Sequence, residues 1–388
     1  MITSSQGPTF GLAEETELMR SEVRRFCEER IRPGLEERER EHRLPSEILR
    51  EMGDLGLLGM MVDEEWGGAG LDVLTYCVAV EEVARVCPAT AVTMSVTNSV
   101  CCWPLAKFGS DHLRSTVLPE LASGECIGGF GLTEPGAGSD AGALRTTARR
   151  DGDAWVLNGE KAWITNAGHG RYFVVVARTD GGAGKRGLSA FLVPADADGF
   201  GVGEAEEKLG LRTSKTAPLF FNDCRIPAAN LLGEEGDGLR IALATLDHSR
   251  LGIAAQAVGI HQRALELAID YAQDRQQFGV PIAKHQAIRF KIAQMATELA
   301  AARELTWGAA SIAESDPKRA GRMASQAKLY ASEAANRACA EALQIHGGNG
   351  FHEDYEISRL YRDVRVTTIY EGTSEMQRLV IARHVLRG

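Results

Sequence analysis

The sequence predicts an α+β protein of three domains. A helical domain spans residues 1–127, a middle antiparallel β domain 128–236 and a C-terminal four-helix bundle 237–388. Three observations predict this. Apolar residues recur at helical spacing near the N-terminus, the middle third alternates short apolar runs with turn residues, and the last third carries alanine-rich helical seams. The 388 residues fit two or three domains at roughly 150 residues each.

Met19, Val23 and Phe26 lie on one face of a first helix, and a second helical stretch runs from about Val73 to Arg85. The Trp66–Gly70 loop and Pro88 punctuate this region. From Gly128 to Ile226 the strands are expected around Trp155–Leu157, Tyr172–Val176, Leu188–Val193 and Leu219–Phe221. Asp151-Gly152, Asn158-Gly159 and Gly181-Gly182 supply the turns. Beyond Gly236, Ile288, Ile292, Met295, Leu299 and Ala302 form a packed helical seam. Alanine-rich stretches near 296–302 and 324–342 let helices approach closely, as in a bundle.

The formal net charge is −10, which makes the chain a poor candidate for binding nucleic acid, where phosphate contacts need clustered Lys and Arg. The run Arg38–Arg43 interleaves Glu with Arg and reads as a solvated face. No apolar run approaches the ~20 residues of a membrane-spanning helix. Met1–Arg20 lacks the basic flank and apolar stretch of a signal peptide, and its acidic residues speak against a transit peptide. The eight cysteines form no Cys-x-x-Cys, so neither a disulfide framework nor a zinc site is indicated, and a reducing cytoplasm is the simplest compartment.

Five segments carry chemistry. Gly131–Asp140 (Gly-Leu-Thr-Glu-Pro-Gly-Ala-Gly-Ser-Asp) loosely matches a dinucleotide fingerprint, but a hairpin-like sequence follows it where a βαβ unit needs a helix. It is either a glycine-rich turn or a loop whose N–H groups face an anion. In Trp163-Ile-Thr-Asn166, Trp163 and Thr165 share a strand face. A ring there can cover a flat cofactor while a hydroxyl bonds its edge, yet periodicity alone favours a core tryptophan. Arg275–Gly279 and Gln344–Gly350 each end a helix, where glycine usually serves as a C-cap and an arginine can pair with phosphate. His346 reads as a helix-end histidine, and no metal-ligand spacing occurs. In Ile369–Glu375, Glu371 follows two apolar residues, an environment that raises a carboxyl pKa and suits a general base. Thr373 or Ser374 could equally cap a helix running from Met376 to Leu386, and both roles can hold together.

In this order, the five segments resemble the acyl-CoA dehydrogenase family, from about Leu12 to Arg387. Within it, Met94–Ser99, Asp223–Pro227 and the stretch from Leu246 to Ala257 resemble the short-chain (butyryl-CoA) branch. The resemblance implies the three-domain fold, usually a homotetramer, with one FAD per chain. It implies that Phe130, Leu132, Thr133, Trp163 and Thr165 line the isoalloxazine ring. Arg275, Phe278, Gln286, Gln344, Gly347 and Gly348 would hold the pyrophosphate and adenosine ends, partly from a neighbouring subunit, with Thr373 and Glu375 as further FAD contacts.

Ser139, Asp247 and Arg250 match acyl-CoA contacts, Tyr370 and Gly372 on either side of the base are expected to bind substrate as well, and Gln256 and Thr367 match positions that limit the acyl pocket. Glu371 matches the base. Some relatives carry the base on another helix, where this chain reads Leu251-Gly-Ile-Ala without a carboxylate. The implied reaction removes an α-proton and a β-hydride from an acyl-CoA thioester, giving a trans-2-enoyl-CoA, with electrons passing to an electron-transfer flavoprotein. Thr368 departs from the branch, which often carries Glu there, so chain length and branching stay open. The alternatives are an oxidase, a flavin monooxygenase or a non-catalytic scaffold of the same fold.

Overall fold

A computed structural model describes residues 11–179 and 187–387, so the expected Gly181-Gly182 turn and the first ten residues lie outside the described residues. The N-terminal domain opens with α1 (Glu14–Phe26), whose acidic first turn and basic last turn complement the helix dipole. Val23 is buried, and Met19 and Phe26 pack beside it as their spacing predicted. The next helices are α2 (Leu35–Arg40), α3 (Ser46–Asp54), α4 (Val73–Val86) and α5 (Pro88–Val96), followed by α6 (Trp103–Phe108) and α7 (Asp111–Ala122). Asp72 caps α4 by accepting from the Thr75 N–H at 2.7 Å, and Pro88 starts α5 where its missing N–H costs nothing.

The Arg38–Arg43 run is not a solvated face throughout. Arg38 and Glu39 are buried, and the Arg38 guanidinium donates to the carbonyls of Ile31 and Pro33. Its alternating charges look solvated in sequence, but the short helix α2 turns the Arg38–Glu39 pair inward, Arg38 toward carbonyls that need a donor and Glu39 toward the Arg362 guanidinium at 3.8 Å.

The middle domain contains β1 (Gly128–Gly131), β2 (Thr147–Asp151), β3 (Ala154–Thr165), β4 (Tyr172–Arg178) and β5 (Leu188–Pro194), then β6 (Phe200–Val202), β7 (Thr216–Pro227) and β8 (Leu231–Leu232). They form one sheet in the order β6-β7-β3-β2-β4-β5-β8, with β1 beside β4. Most pairings are antiparallel as expected, but β1 and β2 both meet β4 in parallel. Gly152 turns β2 into β3 with φ +64°. Asn158-Gly159 is not a turn. It lies inside β3 at a register shift, where Gly159 has φ +140° and a Cβ would come 2.7 Å from Thr146. A bulge needs the same permissive glycine as a turn, so composition alone does not separate the two.

The C-terminal domain is helical: α8 (Gly238–Asp274), α9 (Gln286–Ala310), α10 (Pro317–His346), α11 (Glu356–Val364) and α12 (Ser374–Arg387). Ala257, Ala264 and Ala268 of α8 share a buried core with Ala327, Ala331 and Ala338 of α10. Met295, Leu299 and Ala302 bury the α9 seam in the same core. α8 also packs against α4, and a Cβ at Gly259 would fall 2.2 Å from the Glu81 carbonyl. This long helix therefore joins the first and last domains at a fixed distance. Between α8 and α9, β9 (Gln276–Gln277) and β10 (Val280–Pro281) form a hairpin. Gly279 is its turn residue, with φ +79° after Phe278 at φ +55°, and not the helix cap its position suggested. His346 ends α10, bonding the Ala342 carbonyl at 2.8 Å and stacking on Tyr271.

Candidate active site

The three domains meet around a cavity of about 370 Å³. Its floor is the β domain, through Phe130, Leu132, Thr133, Trp163 and Thr165, with Ser139 on the adjoining loop. Arg250 of α8 and the segment Tyr370-Glu371-Gly372-Thr373 face that floor. A second cavity of about 490 Å³ shares Trp163, Thr165, Ile369 and Tyr370 with the first. A third, of about 410 Å³, continues past Ile369 and Thr373 to Glu375 and the buried Ser374 hydroxyl, which has no partner among the described residues.

The floor is braced from beneath. Lys161 has no exposed surface and donates to Glu134 Oε1 at 2.7 Å and to the Leu132 carbonyl at 3.2 Å. Glu134 also accepts from the N–H groups of Arg145 and Thr146 at 2.6 and 2.9 Å. Trp163 sits where the β3–β7 register slips, with φ +62°. The slip throws its ring out of the sheet, so 60% of the residue is exposed and the core tryptophan that periodicity favoured is not found. A bulge of this kind re-aims a side chain toward a site.

Glu371 is half-buried and adopts φ +53°, followed by Gly372 at φ +90°. Two successive left-handed residues make a tight corner that a non-glycine residue occupies only under constraint. The corner leaves the Glu371 N–H without a partner among the described residues. The carboxylate accepts a hydrogen bond from the Ser249 hydroxyl. Burial raises its pKa above the usual carboxylate value, and the Ser249 bond and the charges of Arg250 and Lys328 only partly oppose that. Thr373 accepts from the Met376 N–H at 3.3 Å and so caps α12, as the alternative reading of this segment required.

Three residues that hold the corner were missed in the sequence. Ser249 and Lys328 lie 122 and 44 residues from their partners, on helices whose spacing reads as core. Lys328 donates to the Gly372 carbonyl at 2.7 Å, and Gln377 donates to the same oxygen at 2.9 Å. No local pattern marks them.

Gln256 is fully buried behind Tyr370. Its amide donates to the Pro88 carbonyl at 2.8 Å and accepts from the Tyr370 hydroxyl, so it meets the cavity through that ring. Thr367 is buried as well, donating to the Val364 carbonyl at 2.7 Å. Asp247 is exposed and ion-paired with Arg250. Arg275, Phe278, Gln286, Gln344, Gly347 and Gly348 are all exposed at the far end of the helical domain, away from this cavity, and Phe278 is 94% exposed.

A braced floor with a projecting indole, facing a carboxylate on a left-handed corner of the C-terminal helical domain, is the arrangement of the acyl-CoA dehydrogenases. The chain belongs to that flavin-dependent family of oxidoreductases. Residues 13–125, 129–224 and 236–386 match its N-terminal, middle and C-terminal domains in turn. The chain is similar to the mouse short-chain specific acyl-CoA dehydrogenase, at 50% identity over 97% of this chain and 91% of that protein. It is also similar to butyryl-CoA dehydrogenase from Megasphaera elsdenii, with TM-score 0.95 and 40% identity over 98% of this chain and 100% of that one. A chain in the structure of the electron transferring flavoprotein of Acidaminococcus fermentans aligns with TM-score 0.96 and 42% identity, over 98% and 100%. Among the described residues no helix is long and apolar enough to cross a membrane.

Proposed function

We propose that this protein oxidises a short-chain acyl-CoA to the trans-2-enoyl-CoA, with Glu371 as the base, FAD as cofactor and an electron-transfer flavoprotein as electron acceptor. The observation that carries this is the placement of Glu371: a carboxylate of raised pKa on a constrained corner, lining the same cavity as the projecting Trp163.

The residues present fit FAD. An exposed indole beside the Thr133 and Thr165 hydroxyls suits a flat ring with polar edges, and the cavity past Thr373 offers the unpartnered Ser374 hydroxyl along the way out. FAD bound there supplies the two-electron acceptor for the hydride that leaves the β-carbon. Everything else falls to the chain. Glu371 takes the α-proton, and its burial keeps it basic enough to do so near neutral pH. The free Glu371 N–H is a donor for the thioester oxygen as negative charge gathers there. Arg250, buried and with its Nε unpartnered, adds positive potential beside the carboxylate. Ser139 on the cavity wall and the exposed Asp247, paired with Arg250, would contact the CoA portion.

Arg275, Phe278 and the Gln344–Gly348 segment serve FAD of a neighbouring chain in a homotetramer. Their exposure, with Phe290 64% and Phe351 87% exposed nearby in sequence, supports a covered surface in the assembly.

The test is anaerobic bleaching of the bound flavin by butyryl-CoA. The native protein is expected to bleach, and Glu371→Gln to retain FAD yet bleach at least ~10²–10⁴-fold more slowly, the usual cost of removing a general base. Near-native bleaching by that variant would overturn the assignment of the base.

A further inference from the structure

Lys328 has no exposed surface, which is rare for a lysine unless a carboxylate pairs with it. Among the described residues no carboxylate does. Its ammonium donates to a backbone carbonyl, that of Gly372, at 2.7 Å. Gly372 is the second residue of the left-handed corner that carries Glu371, and a strained corner persists only where its surroundings over-determine it. Gln377 supplies a second, neutral clamp on the same oxygen at 2.9 Å and reaches the Glu371 carbonyl at 3.3 Å.

We propose that Lys328 is a positioning residue for the base: it pins the Gly372 carbonyl, fixing the corner that aims the Glu371 carboxylate into the cavity, and it holds a buried positive charge beside that carboxylate. The proposal rests on Glu371 being the base. A neutral hydrogen-bond donor would hold the corner equally well, as Gln377 does, so the choice of an expensive buried cation calls for an electrostatic role. The ionisable groups around the pair come from every packed element. Arg250 of α8 faces both, Glu375 of α12 and Glu333 of α10 face Lys328, and Tyr76 of α4 and the adjoining Tyr370 face Glu371. Arg250 is already paired with Asp247, so removing Lys328 withdraws the cation near Glu371 that has no carboxylate partner of its own.

Lys328→Met keeps the length and removes both charge and donor, while Lys328→Arg keeps both. With FAD-loaded Lys328→Met, flavin reduction by butyryl-CoA should slow about 10- to 100-fold at neutral pH with KM little changed, the scale of a misplaced catalytic group. The acid limb of the rate profile should move to higher pH, because losing a cation disfavours the carboxylate. Amide hydrogen exchange at residues 371–373 should quicken. Lys328→Arg should leave the limb in place and restore most of the rate. A Met variant with native rate and an unmoved limb overturns the proposal. So does a folded Arg variant whose limb has moved as far as a neutral replacement would move it, and this second measurement stands even if the Met variant does not fold. If Glu371→Gln is inactive while Lys328→Met is native, the positioning role alone fails. If Glu371→Gln is active, the base itself was misassigned.

Discussion

Two buried lysines sit beside two carboxylates in this protein, and the outcomes are opposite. Under the cavity floor, Lys161 bonds Glu134 directly, and two backbone N–H groups complete the shell. Burial alone would raise the Glu134 carboxyl, but the Lys161 charge and these donors outweigh it and hold it below its usual value. Across the cavity, Lys328 spends its bond on the Gly372 carbonyl, and Glu371 keeps one hydroxyl donor, so burial wins and that carboxyl is raised. Burial pulls both ammonium groups down to about 8. The presence of a lysine therefore does not decide the state of a buried acid. Whether its ammonium bonds the carboxylate directly, together with the other donors on the acid's oxygens, does.

The comparison is broken most severely at the floor. Lys161→Met leaves Glu134 buried with its backbone donors but no counter-charge, a change that typically costs 3–5 kcal/mol. The Leu132 carbonyl loses its donor as well, so FAD content should fall with stability. Because the folded pKa of Glu134 is depressed, its contribution is present above the unfolded carboxyl pKa and is lost as pH falls through the folded one. Denaturant unfolding of the variant should therefore show both a lower midpoint and less loss on acidification. An unfolding free energy within about 1 kcal/mol of native would mean that the floor does not need its cation.

These two sites also mark what was legible in the sequence. The element order could be read because helix and strand periods differ, and the motif residues from Phe130 to Thr165 and from Tyr370 to Thr373 line one cavity. Periodicity alone put Trp163 in the core because a bulge cancels the alternation on which that expectation rested, whereas the family resemblance put it at the site. Arg38 and Glu39 look solvated until the carbonyls that Arg38 reaches and the Arg362 guanidinium near Glu39 are known. Lys161 and Lys328 were silent for another reason. One stands in a strand and the other on an alanine-rich helix, and their roles depend on partners 27 and 44 residues away.

A smaller effect sharpens the view of the base's neutral neighbours. Gln256 holds the Tyr370 ring against the cavity wall. Gln256→Gly would free that ring and open space behind it. Filling such space typically costs 1–3 kcal/mol, so the native protein should favour butyryl- over octanoyl-CoA by about ten- to a hundredfold in kcat/KM, and the variant should narrow the gap. A native preference for octanoyl-CoA, or an unchanged ratio in the variant, would remove Gln256 from the control of chain length.

The smallest expected effect is also the most specific. Ser249 has one hydroxyl proton and two acceptors, Glu371 Oε2 and the Leu246 carbonyl at 3.2 Å. With Glu371 ionised the proton points to the carboxylate. Once Glu371 is protonated it can donate to Ser249 Oγ, and the serine proton can turn to Leu246. Ser249 thus serves both states, and only the difference between them shifts the base. The bond to the ionised form is charge-assisted and roughly twice as strong as a neutral one, so the serine favours the carboxylate. Ser249→Ala should therefore raise the Glu371 pKa further and carry the acid limb of flavin reduction to higher pH. Above that limb the carboxylate is formed in both proteins, and the rates should agree within about threefold, since Lys328 and Gln377 still hold the corner. Stopped-flow reduction by butyryl-CoA across the pH range reads both quantities. A limb that stays put would show that one hydroxyl adds nothing to the setting of the base. A plateau that collapses would show instead that Ser249, and not the clamp on Gly372, keeps Glu371 in place.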